Sequence, residues 1–199
     1  MRKALSAAFI AVLSLAVTSC ASNDEAGARH FGIFKVSDSS KTIEMDGVVA
    51  TGTLADFEEL YQEYPDVNQL NIVNCDGSED DETNLMLARK IHDSKISTHV
   101  MDGGVVASGG VDLFLAGTKR TVGKNVRIGV HSWADAGVKA TDYPKGHEEH
   151  RKYIEYYKSI GFDQQSAEGF YYFTIYAASP SGIHYMTEDE MAKYKVLTE

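Results

Sequence analysis

Ser108 stands in the tetrad Ala107-Ser108-Gly109-Gly110, at the start of a helix-like run over residues 108–116 (SGGVDLFLA) that Gly117 closes. A serine at a strand-to-helix junction lies where backbone N–H groups and the helix dipole can stabilise an oxyanion. Glycines beside it let the backbone approach a substrate carbonyl. The same tetrad also reads as a small-residue helix start packed tightly on a neighbour. A second group follows at residues 125–132 (NVRIGVHS), a strand-like segment that delivers His131 at its end. Other candidates are weaker. His147-Glu148-Glu149-His150 places two imidazoles three apart, near enough to share a helix face and a metal, but one residue short of the H-E-x-x-H zinc motif. A solvated helix face is the expected reading, and no metal site is assigned. Cys75 beside a glycine turn reads as a small buried residue, and Trp133, two after His131, as a cleft wall or a packing residue.

Such groups need a framework, and composition bounds it. The chain has 199 residues, 43% apolar and 10% aromatic, with 29 acids against 19 bases and a formal charge of −10. That excludes disorder and a multi-span membrane protein, and leaves enough chain for one sizeable core. An acidic surface also argues against nucleic acid as a partner, because phosphate binding needs positive charge.

The N-terminus stands apart from the fold. Arg2 and Lys3 precede an apolar run of about fourteen residues, 4–17, the length of a signal h-region and short for a membrane span. Val17-Thr18-Ser19-Cys20 resembles a bacterial lipobox, in which the cysteine is acylated and becomes the first mature residue. The expected division is a lipoprotein signal peptide at 1–19, a lipidated tether at 20–29 and a domain at 30–199. Ala21 is not the aspartate that resembles an inner-membrane retention signal, so outer-membrane sorting, facing the periplasm, is expected. Removing 1–19 deletes two bases and no acid, so the remainder carries −12. With Cys20 lipidated, Cys75 is the lone thiol and no internal disulfide forms.

From His30 the chain alternates strand-like and helix-like segments, which predicts an α/β domain. Residues 31–36, 43–50, 70–73 and 97–101 read as strands. Thr53 is expected to cap a helix over 53–64, which Pro65 stops. A helix over 82–92 is expected to turn Leu85, Met86 and Ala88 inward, and Asp102-Gly103-Gly104 reads as a sharp break. A helix through Tyr153, Ile154, Tyr157 and Ile160 ends at Gly161, and an aromatic helix begun by Asp163 carries residues 169–176 (GFYYFTIY), read as core or subunit interface. Thr187-Glu188-Asp189-Glu190 is a capping box.

Read together, the tetrad around Ser108, Ala116-Gly117 and the strand ending in His131 resemble the Clp protease proteolytic-subunit and crotonase-like superfamily, particularly its exported ClpP-like members. That family carries a nucleophilic serine in G-x-x-A-S-x-G, an A-G pair closing its helix, and a base histidine after a strand. The resemblance implies a spiral of ββα units in a single domain, with Ser108 as nucleophile and His131 as base. The wording at Ser108 is also similar to type-A signal peptide peptidases, which use a lysine base and lack this histidine. Over residues 43–196 the likeness continues. Asn74-Cys75-Asp76-Gly77-Ser78 falls where the proteases have N-S-P-G-G, which implies an oxyanion hole from Gly77 or Ser78 with Gly109. Ser78 replaces a glycine there, and the Asp76 carboxylate would oppose an oxyanion unless it points away.

Ile183-His184-Tyr185-Met186-Thr187 is similar to the family's D-R-F-L-S, so Ile183 occupies the triad aspartate's column. Asp135, Asp142 or Asp189 are the alternative orienting acids, or a backbone carbonyl holds His131; the sequence leaves these open. Two functions follow: an ATP-independent serine peptidase or hydrolase, or an inactive ClpP-like fold binding a peptide or protein partner. The resemblance implies a peptide or protein substrate, allows a homo-oligomer, and calls for no cofactor. Membrane attachment would be through the lipid anchor.

Overall fold

The computed structural model describes residues 29–37 and 39–198; the expected signal segment 1–19, Cys20 and the stretch 21–28 lie outside the described residues. The chain runs β1 (Arg29–Phe31), β2 (Phe34–Val36), β3 (Thr42–Asp46), α1 (Thr53–Glu63), β4 (Gln69–Cys75), α2 (Asp81–Asp93), β5 (Ser97–Ala107) and α3 (Gly109–Leu115). It continues through β6 (Arg120–Val122), β7 (Arg127–Val130), β8 (Ala134–Asp135), β9 (Val138–Lys139), α4 (Arg151–Ser159), α5 (Gln164–Ala177), β10 (His184–Tyr185) and α6 (Glu188–Lys193). An eight-stranded sheet has the order β1-β2-β3-β4-β5-β7-β10, with β6 on β5. Its centre, β3 through β7, is parallel, and antiparallel pairs lie at its two ends. This is the expected mixed α/β domain.

Burial explains the pattern. Ile43, Met45, Leu70, Ile72, Val100 and Val106 are buried along the central strands, as a sheet covered by helices requires. Helices α1, α2 and α3 contact one another in turn, while α4 and α5 pack together and α5 reaches β7. Two glycines make the contact between helix α3 and the sheet close, and a third makes that between β4 and β5 close. A Cβ at Gly110 would collide with the Cys75 carbonyl, one at Gly117 with Thr98, and one at Gly104 would lie 2.6 Å from the Val73 carbonyl oxygen.

Several expectations are corrected. Residues 31–36 are not one strand but the hairpin β1–β2, turned at Gly32 with φ +56°. The strand expected over 43–50 ends at Asp46. Gly52, not Thr53, is the N-cap of α1, and the Thr53 hydroxyl instead accepts the Ala50 N–H at 3.0 Å. Met86 is exposed, and Leu87 takes the inward place beside Leu85 and Ala88. Asp102-Gly103-Gly104 does not end its strand. The β4–β5 register moves from Ile72↔Val100 to Asn74↔Val105, so these residues form a bulge inside β5, which then continues to Ala107. The capping box at Thr187 is present, with the Glu190 carboxylate accepting the Thr187 N–H at 2.8 Å.

Gly110→Ala is expected to cost about 1–3 kcal/mol, because the Cys75 backbone cannot yield to a methyl group. Gly52→Ala, with nothing within 4 Å of the added carbon, involves no clash and should lose only the preference for glycine over alanine at an N-cap, less than about 1 kcal/mol. Urea denaturation of both variants checks this; equal stabilities would show that α3 is not seated tightly on β4.

Candidate active site

Parallel pairing aligns the ends of β4, β5 and β7. Cys75 lies opposite Val106, and Ala107 opposite Gly129. The residues that follow each strand therefore gather at one edge of the sheet: the Asp76-Gly77-Ser78 turn, Ser108 and His131. Ser108 and His131 both line one cavity of about 50 Å³.

Ser108 is the N-cap of α3 with φ +51° and ψ −129°, a conformation that favours glycine. Its amide donates to the Gly129 carbonyl at 3.0 Å, which ties the turn to β7. Holding a serine there costs on the order of 1–3 kcal/mol and is a usual feature of strained strand-to-helix nucleophile turns. Gly77 is buried against it: a Cβ built there would stand 3.2 Å from the Ser108 Cβ and 3.6 Å from its Oγ. Gly109 and Gly110 open α3, where amides have no intrahelical acceptor. Asn84 donates from Nδ2 to the Gly109 carbonyl at 2.9 Å and fixes that peptide plane. Ser78 is turned to Asp81, donating to Oδ1 at 2.6 Å, and Asp76 is exposed and does not line the cavity.

The His131 Nδ1 lies 2.8 Å from the Ser132 carbonyl oxygen. A carbonyl only accepts, so this contact assigns the proton to Nδ1 and leaves Nε2 as a basic lone pair. Among the described residues no carboxylate bonds His131. Asp135 is exposed in the β8–β9 hairpin, Asp142 accepts the Lys139 amide at 2.9 Å, and Asp189 is exposed in the first turn of α6. Ile183 is also exposed, against Gly129.

The far wall contains groups that the sequence did not single out. Asp112, one turn after Ser108, is 9% exposed and lines the cavity with Asp81. The Tyr157 hydroxyl donates to Asp112 Oδ1 at 2.6 Å, and the Tyr153 hydroxyl to Asp81 Oδ2 at 2.6 Å. Burial pushes the Asp112 carboxyl up to about 7, against the Tyr157 hydrogen bond and with help from the nearby Asp81 charge. Trp133 is a wall of this cavity, donating from Nε1 to the Tyr171 hydroxyl at 3.0 Å. Of the aromatic helix, Phe170, Tyr171 and Ile175 are buried, and Tyr171 and Ile175 reach the cavity.

Outside the cavity, His150 is buried rather than on a solvated face. Its Nδ1 lies 2.7 Å from the Tyr171 hydroxyl, while His147 caps the turn that precedes α4. Cys75 is buried beneath Gly110, and its thiol is pushed up to about 11 by burial, which suits packing and not nucleophilic attack.

The Asp112 shift has a pH signature. Its folded value lies above the unfolded value of about 3.9, so between about pH 4 and 7 the folded chain holds a proton that the unfolded chain has released. Stability from this group is full below that window and falls as pH rises through it. Asp112→Asn removes the effect. The stability of wild type minus variant, measured by urea denaturation across the window, should decline with rising pH; a flat difference would contradict a buried, shifted carboxyl.

No protein-family model matches the chain, and no curated protein matches it. Solved structures do. The ClpP protease catalytic domain from Plasmodium falciparum superposes with TM-score 0.54 at 16% identity, covering 81% of this chain and 84% of that one. A ClpP1 mutant from Listeria monocytogenes gives 0.50 at 18% identity, over 81% and 91%. A mutant of a membrane-bound stomatin-specific protease, 1510-N, in complex with a substrate peptide, gives 0.51 at 18% identity, over 78% and 71%. The chain therefore has a ClpP-like fold.

Proposed function

We propose that this chain is a serine hydrolase of the peptidase type. His131 Nε2 takes the proton of Ser108, whose Oγ attacks an acyl carbonyl. Backbone N–H groups of Gly109 and of Gly77 or Ser78 hold the oxyanion. His131 then returns the proton to the leaving group, and water releases the acyl group by the reverse exchange. One observation carries this reading: a serine, not a glycine, is kept at φ +51° on the cavity that His131 shares. The substrate class, a peptide or protein, is supported by the fold likeness to proteases, one of them holding a substrate peptide.

The Ser132 carbonyl at Nδ1 supports a second reading, an inactive peptide-binding relative, since a carbonyl stabilises an imidazolium less than a carboxylate does. It nevertheless selects the productive tautomer. Loss of the orienting aspartate costs roughly 10⁴ in rate where the wrong tautomer results, so a slower but working enzyme is the expected outcome here.

We also propose attachment by acylation of Cys20, the domain facing the periplasm from the outer membrane. At −12 the mature chain gains little from anionic headgroups, which leaves attachment to the acyl chains.

A fluorophosphonate probe should label wild type and neither Ser108→Ala nor His131→Ala; absence of serine-dependent labelling would sink the hydrolase reading. Ser108→Gly should lose labelling while gaining about 1 kcal/mol of stability, because strain is released. A stability loss on that substitution would argue that Ser108 has a packing role. For the anchor, Cys20→Ser should abolish lipid labelling and membrane retention, and unchanged attachment would count against it.

A further inference from the structure

We propose that the cavity beside Ser108, whose volume of about 50 Å³ suits the charged end of a side chain, selects a lysine or arginine just ahead of the bond to be cleaved by setting that end against the Asp112 carboxylate and an aromatic wall. This rests on the hydrolase reading and names the substrate class of that site.

Asp112 is the lone charged residue of α3, in an otherwise apolar G-G-V-D-L-F-L run whose residues are all buried. Four residues after Ser108, it lies on the same side of the helix one turn on. Only Oδ1 is engaged, by Tyr157; its second oxygen accepts no hydrogen bond among the described residues. Neither Asp112 nor Asp81 has an ion-pair partner among them. A buried carboxylate without a counter-charge is costly, and a leucine would fill the position in such a helix without that cost. The walls add a second attraction for positive charge. Tyr153 lies near-parallel to Trp133, centroids 6.1 Å apart at 25°, and to Tyr171, 5.4 Å apart at 15°, and the same ring already attracts the chain's own Lys152, whose Nζ lies 4.9 Å from its centroid. Ring faces attract ammonium and guanidinium groups, most strongly where water is excluded.

Apolar side chains fare differently. They would displace water from Asp112 and leave it without a partner, whereas a cation replaces that water with an ion pair. Sites built around a buried polar group reject ligands that cannot satisfy it far more sharply than apolar slots reject by size.

The test separates this proposal from the hydrolase reading. Binding of p-aminobenzamidine, followed by its fluorescence, needs no catalysis. Wild type and Ser108→Ala should bind it, and Asp112→Asn should bind at least about tenfold more weakly with unchanged circular dichroism. On wild type alone, the neutral analogue p-aminobenzamide should bind at least about tenfold more weakly, which holds whether or not the variant folds. Coumarin peptide substrates with lysine or arginine ahead of the scissile bond should exceed those with leucine or phenylalanine by about 10²-fold in kcat/KM. Fluorophosphonate labelling with equal binding of the two amidine and amide probes would overturn the cation pocket and leave the hydrolase. Charge-selective binding without serine labelling would support the pocket and remove the hydrolase.

Discussion

The parallel ladder β4–β5–β7 is the constraint on which the candidate site depends. Parallel strands end on the same edge, so the pairings Cys75↔Val106 and Ala107↔Gly129 bring the residues after three separate strands together. Ligand sites of open α/β sheets lie outside the carboxyl ends of strands for the same reason. The bulge at residues 101–104 belongs to this arrangement. It lets β5 pair β6 through Val100 and then β7 from Val105, so one strand serves two partners before delivering Ser108. Gly110, seated on Cys75, keeps α3 low enough for its first amides to remain at that edge.

Around this edge the chain has built a polar wall of unusual composition. The Tyr153 and Tyr157 phenols, raised by burial and by the neighbouring carboxylates, remain protonated and donate to Asp81 and Asp112. The Tyr156 hydroxyl donates to the Asp112 carbonyl at 2.5 Å, so consecutive tyrosines of α4 grip both the backbone and the side chain of one residue. α4 therefore docks on α3 through Asp112, and the cavity's charge and the packing of the second helical layer are one feature.

What the sequence disclosed was local. Ser108 at a glycine-flanked junction and His131 after an apolar strand are patterns within a few residues, and parallel pairing alone places them together. Asp112 was not legible, because one acid in an apolar run reads as a solvated position. Its burial is decided by Tyr157, forty-five residues on in sequence. His150 failed the opposite way: a pair of glutamates beside it suggests solvent, yet Tyr171 of α5 covers it. The hairpin turns on Gly32-Ile33, with glycine at the first turn position and φ +56°, but Ile33 joins the apolar residues on both sides and hides that signal in what reads as one strand. Ile183 stands where the resemblance places the triad aspartate, and only coordinates give the Ser132 carbonyl as the group that holds His131 Nδ1.

The same geometry links charge on the two sides of the cavity. On the proposed reading, an oxyanion near Gly109 and an ionised Asp112 one turn away would repel each other, strongly so in a site of low dielectric. Two states relieve the repulsion. In one, the carboxyl, pushed up to about 7, keeps its proton for part of the time near neutral pH and so carries no charge against the oxyanion. On the proposed reading, a substrate cation relieves it more fully, since the ion pair cancels the charge that would oppose the oxyanion. Substrates lacking that cation meet an uncompensated carboxylate or must keep it protonated. Discrimination would then extend from binding into the chemical step, because the favourable interaction grows as negative charge develops on the carbonyl oxygen.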